Sequence, residues 1–234
     1  MNNHTTKNIV NSAARAIHSA VAITAVVLAL AAVSAAQFRV SDNFNRADGV
    51  PGLGWSTWGN GAQVNTDQLE TFGEVNVAGG IQRTLVVTFP LTFSFDFSTA
   101  APADGGWLVG FNAVGTIIYG GADLSEVRLF QNNGGTGVCT AFQTASGPTF
   151  QCSNTVKGQR TFTAKAHVSV TLRSDFSANI TIKYNDGLLP AAVVIKTTAP
   201  VGAIQMPQGS LLFLGNTNMT YGPHYFDNFV LSLN

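Results

Sequence analysis

The chain has 234 residues, 12 basic and 12 acidic, and only 10% of it is charged, against roughly 25% in an average soluble domain. No basic cluster interrupts that balance, which argues against nucleic acid and anionic membrane as partners, since both select for concentrated Lys and Arg. Surface polarity must come from Asn, Thr, Ser, Gln and Gly, a composition that suits an exported β-protein and a sugar-facing surface alike.

From the start of the chain, Ala20 to Ala32 form an apolar run behind a weakly basic leader carrying Lys7 and Arg15, and small residues follow at Ser34, Ala35 and Ala36. This is the pattern of a cleavable export signal. The run is well short of the roughly 20 residues a spanning helix needs, and a retained N-terminal anchor is the alternative. The expected organisation is a signal peptide over residues 1–36 and one domain over 37–234. Removing 36 residues from 234 leaves 198, a length that suits a single all-β sandwich. Lys7 and Arg15 leave with the signal, so ten basic residues face 12 acidic ones, a net charge of −2. The expected location is extracellular or at the cell surface, with no membrane contact after cleavage.

Period-2 alternation dominates the rest. In Thr92–Ser98 (TFSFDFS), Phe93, Phe95 and Phe97 alternate with polar neighbours. Thr161–Arg173 (TFTAKAHVSVTLR) places Phe162, Ala164, Ala166, Val168, Val170 and Leu172 on one face, and Asn179–Tyr184 repeats the pattern with Ile180 and Ile182. These read as half-buried strands, and about a dozen are expected at sandwich spacing. Asp104-Gly105-Gly106, Asn132-Asn133-Gly134-Gly135 and Asn185-Asp186-Gly187 mark reversals. Gly79-Gly80, Gly120-Gly121 and Gly134-Gly135 suit left-handed turns, and none opens a helix as a phosphate-binding loop would. Cys139 and Cys152 flank one apparent hairpin and are expected to pair in an oxidising compartment; closing that loop would stabilise the fold by roughly 3 kcal/mol. Two free buried thiols are the alternative.

Three stretches carry a family likeness. Ser41–Trp55 (SDNFNRADGVPGLGW) resembles the opening strand and loop of secreted bacterial domains with the laminin-G/concanavalin-A-like jelly roll, and Tyr225–Leu233 (YFDNFVLSL) resembles their closing strand. Ala166–Gly187 is similar to one of their hairpins. The resemblance implies an all-β, antiparallel two-sheet jelly-roll sandwich in which the first strand lies beside the last, closing an edge. It also implies a structural calcium where the termini meet, with Asp42, Asp48 and Asp227 as metal ligands among the six to eight oxygens that calcium requires. Turn-capping is the ordinary alternative for those residues.

This fold hosts lectins, glycosidases, lyases and adhesion modules, so function must be read from residues. Glycoside hydrolysis needs two carboxylates on one surface. Asp123 and Glu126, three apart, point to opposite strand faces, Asp96 stands among phenylalanines, Glu70 and Glu74 flank an apparent turn, and no E-x-D-x-E strand is present. His167 shares a polar face with Lys165, Ser169 and Thr171 but lacks a lyase motif, and His224 stands in a loop with two tyrosines for which a binding rim is one of two equal readings. There is no G-x-S-x-G elbow and no zinc spacing. Aromatic rings are the usual platform for a pyranose. Trp58, Trp107, Tyr119, Tyr221 and Tyr225, with His167, are therefore the ligand-binding candidates, and Trp55 belongs to the terminal motif. The expected function is a secreted, non-catalytic, lectin-like module for glycan or another extracellular surface component. A glycoside hydrolase or polysaccharide lyase with an unrecognised motif, and a self-associating extracellular structural protein, are the alternatives.

Overall fold

The computed structural model describes residues 39–59, 61–72, 79–100, 106–112, 126–131, 138–144, 147–153, 162–175, 177–198, 208–216 and 223–233. The described regular structure is entirely β. In chain order the strands are β1 (Arg39–Asp42), β2 (Ser56–Gly59), β3 (Ala62–Asn65), β4 (Gln68–Thr71), β5 (Gly79–Thr88), β6 (Leu91–Thr99), β7 (Trp107–Asn112) and β8 (Glu126–Gln131). They continue as β9 (Val138–Thr144), β10 (Gly147–Ser153), β11 (Ala166–Leu172), β12 (Ala178–Lys183), β13 (Ala192–Thr197), β14 (Gln208–Asn216) and β15 (His224–Leu233).

The first sheet runs β13-β12-β11-β6-β15-β4-β3, with β1 also on β15. The second runs β10-β9-β8-β7-β14-β5-β2. All pairings are antiparallel. The expected closure of the two ends is present: Arg39, Val40, Ser41 and Asp42 lie opposite Ser232, Leu231, Val230 and Phe229. A register shift between Asp227 and Val230 divides β15, so β4 pairs with its first half and β1 with its second.

Alternation in the sequence becomes alternation in burial. Along β6 every second residue is buried, among them Phe93, Phe95 and Phe97, and along β11 the buried set is Ala166, Val168, Val170 and Leu172. The strand expected from Thr161 begins only at Ala166, although Phe162 is still buried. The core closes between the sheets through rings: Phe95 meets Trp107 at 5.4 Å and Phe93 meets Phe111 at 5.9 Å. Each such ring contributes about 1.5–3 kcal/mol relative to exposure.

Trp58, Leu108 and Phe213 form a second buried cluster. Leu108 and Phe213 each lie between residues of the main core, Trp107 and Val109 in β7 and Leu212 and Leu214 in β14. Strand alternation therefore puts this cluster on the opposite face of the second sheet. Glycines make room for it. A Cβ at Gly110 would fall within the Phe213 ring, and one at Gly215 would come 2.7 Å from Trp58 Cζ2. Gly110→Ala is expected to cost about 1–3 kcal/mol by overpacking, read from the urea midpoint; an unchanged midpoint would mean that Phe213 can swing clear.

Candidate functional site

The outward face of the first sheet gathers the polar chemistry. Strand register builds three rows across it. The first is Ser41, Val230, Ser94, Ser169, Thr181 and Val194, crossing β1, β15, β6, β11, β12 and β13. The second, across the same strands, is Arg39, Ser232, Thr92, Thr171, Asn179 and Lys196. The third is Asp227, Asp96, His167 and Lys183. Between the first two rows lies an open depression of about 470 Å³, lined by Thr92, Ser94, Ser169, Thr171, Asn179 and Thr181, with Val194 and Val230 at its sides. Hydroxyls and amides recur here because a strand buried on one face places every second residue outside, and these positions are Ser, Thr or Asn.

The third row is an ionic network. His167 Nδ1 lies 2.7 Å from Asp96 Oδ1; a carboxylate only accepts, so the imidazole donates. Asn228 Nδ2 donates to the other oxygen of Asp96 at 2.9 Å, and Lys165 Nζ donates to Asp227 Oδ2 at 3.0 Å. Asn228 holds a left-handed conformation with φ 51° at the register shift, where its backbone N–H also donates to Asp227 Oδ1. Asp96 and Asp227 are direct cross-strand partners, a pair hidden in the sequence by their separation. Each has its own donor, His167 Nδ1 for Asp96 and Lys165 Nζ for Asp227, so the two carboxylates stand side by side as fixed acceptors.

Tyr225 stands half-buried opposite Glu70; burial first, and the Glu70 charge second, push its phenol above the ordinary value. Glu70 itself is buried and accepts from Gln63 and Asn65.

The aromatic expectations need correction. Trp107 is wholly buried in the core and Trp58 is buried against Phe213 with Nε1 donating to Ile81 O, so neither offers a ring to ligand. His224 is no binding rim: it starts β15, is buried and stacks on Phe97. Of the named candidates, His167 and Tyr225 lie on the outward face. Tyr119, Tyr221, Glu74, Asp123 and residues 1–36 lie outside the described residues. Cys139 and Cys152 are direct partners in the β9–β10 ladder, but their side chains are outside the described set.

The calcium set does not fit. Asp42 is already saturated: Oδ1 accepts from Phe44 N and Arg46 Nη1, both at 2.7 Å, and Oδ2 accepts from Arg46 Nη2 at 3.0 Å and Trp55 Nε1 at 2.9 Å. Asp48 accepts from Thr66 N and Asp227 from Lys165. Among the described residues no group of three His, Cys, Asp or Glu side chains could hold a metal. At the meeting of the termini, the charge that compensates Asp42 is Arg46.

No protein-family model matches the chain, and neither does any curated protein sequence. Solved structures do. Lectin II from Ulex europaeus superposes with a TM-score of 0.59 at 14% identity, over 84% of this chain and 99% of its own. Arcelin-5, a lectin-like defence protein from Phaseolus vulgaris, gives 0.56 at 12% identity over 85% and 98%. The Ca2+-bound exoplasmic/lumenal domain of VIP36 gives 0.53 at 10% identity over 82% and 88%. At such identities what is shared is the fold, and with its two antiparallel sheets and paired ends the chain is a concanavalin-A-like jelly roll.

Proposed function

We propose that this chain is an exported, lectin-like module that binds glycan through the outward face of its terminus-bearing sheet. The observation that carries the reading is the 470 Å³ depression lined by hydroxyl and amide side chains with two valines beside it. Sugar hydroxyls both donate and accept, as Ser, Thr and Asn do, while Val194 and Val230 can cover the apolar C–H face of a ring. Short side chains on paired strands have little rotamer freedom left to lose, which keeps the entropic cost of binding low. The similar lectin UEA-II was solved in complex with galactose and VIP36 with a Man3GlcNAc glycan, which supports a glycan as the ligand class. Export is consistent with the leader sequence and with the opposed cysteines, which we propose to be disulfide-bonded.

The test begins with a glycan array probed with the full chain, followed by titration of the best binder. Ser169→Phe places a ring in the depression without touching the core; it is expected to weaken binding at least tenfold, about 1.4 kcal/mol, while stability stays within about 0.5 kcal/mol of wild type. Unchanged affinity in Ser169→Phe, or no glycan bound at all, would overturn this reading.

A further inference from the structure

The charges on this face are unevenly satisfied. In the third row each carboxylate has a basic side chain beside it: Asp96 accepts from His167 and Asp227 pairs with Lys165. Lys183, next to His167 in the same row, has no ion pair among the described residues, and it is exposed. The same holds for Arg39 and Lys196, which stand at the two ends of the second row. The first and second rows contain no acidic residue. Glu70, also on this face, lies on β4 beyond Tyr225, held by the amides of Gln63 and Asn65. A chain whose net charge is −2 without its leader therefore borders a hydroxyl-lined depression with three exposed cations that have no ion pair among the described residues.

From this placement we propose that the ligand is a polyanionic glycan chain, its carboxylates or sulfates meeting Arg39, Lys183 and Lys196 while its hydroxyls bond the rows between them. The inference rests on the glycan-binding reading and narrows it. Arg39 and Lys196 are separated by five strand intervals, about 24 Å at about 4.8 Å each, which matches an oligomer and exceeds a single sugar. Contacts of exposed cations are individually weak and screened by salt, so binding must be the joint work of several sites along one chain.

The experiment compares polygalacturonate with its fully methyl-esterified form, and dextran sulfate with dextran, so that charge changes while the backbone does not. Binding to the full chain is expected to be at least tenfold tighter for the acidic member of one or both pairs at low salt. That advantage should shrink as added salt shortens the Debye length from about 30 Å to about 3 Å. The double variant Lys183→Glu/Lys196→Glu, altered only at exposed positions, should lose the advantage with an unchanged melting temperature, and Ser169→Phe should lose binding of both members. The two pairs show whether carboxylate, sulfate or either suffices. Equal binding of acidic and neutral members, or an acid preference that survives the double variant, overturns the inference and leaves glycan binding standing. Failure of every glycan overturns both. Single-stranded DNA bound as tightly as the best acidic glycan would show a generic polyanion site and would also overturn it.

Discussion

Asp42→Ala is expected to lower the unfolding free energy by roughly 3 kcal/mol. One carboxylate accepts from a buried backbone N–H, a buried indole and both Nη atoms of Arg46. Removing it leaves Trp55 Nε1 and Phe44 N without that acceptor, each costing about 1–3 kcal/mol, and leaves a guanidinium unpaired. Breaking a fully buried pair costs about 3–5 kcal/mol; Arg46 is 21% exposed, so water recovers part of the loss. Asp42→Asn, which keeps the shape and some acceptors, should fall between. The measurement is urea denaturation with and without chelator. Because Arg46 supplies the charge that a cation would bring, the gap between wild type and Asp42→Ala should be the same in both. A gap below about 1 kcal/mol, or one that disappears on chelation, would show that this junction is held otherwise.

Phe97→Ala is expected to have the largest effect, about 3–5 kcal/mol. Phe97 is wholly buried and meets Phe226 at 4.9 Å, Phe162 at 5.0 Å and His224 at 6.2 Å. It therefore ties β6 to β15 and to the chain entering β11. The cavity left by the ring is lined by Phe226 and His224 on the paired strand β15 and by Phe162, whose backbone carbonyl is held by Thr99 N, so it collapses little. At about 2–4 °C per kcal/mol for a domain of this size, the melting temperature should fall by roughly 10 °C. Phe97→Leu should recover more than half of the loss. A destabilisation below about 1.5 kcal/mol for the alanine variant would mean that the site closes over the gap.

The face of each strand was legible in the sequence wherever a period of two ran for several residues. That holds for β6, β11 and β12, whose outward Ser, Thr and Asn positions are those that line the depression. Register was not legible. Asp96 and Asp227 become neighbours only through the β6–β15 ladder, and no local pattern announces such a pair. Trp107 carried an available signal, since Trp107, Val109 and Phe111 alternate as an inward set. Trp58 carried none, because its burial depends on a glycine at Gly215, 157 residues away in the chain. The spacing of Asp42 and Arg46, inside the stretch that carries the family likeness, already held the ion pair that stands where calcium was expected.

Arg39 lies opposite Ser232, one residue from the end of β15. The first described strand thus starts beside the place where the last one finishes, at one end of their shared ladder. Tension applied between those two points would not shear the β1–β15 ladder along its length. It would enter at a single end and open the rungs in turn, first Arg39 with Ser232 and then Val40 with Leu231. Mechanically the module is closed like a zip fastener, with the Asp42, Arg46 and Trp55 knot at the far end of the track as its stop.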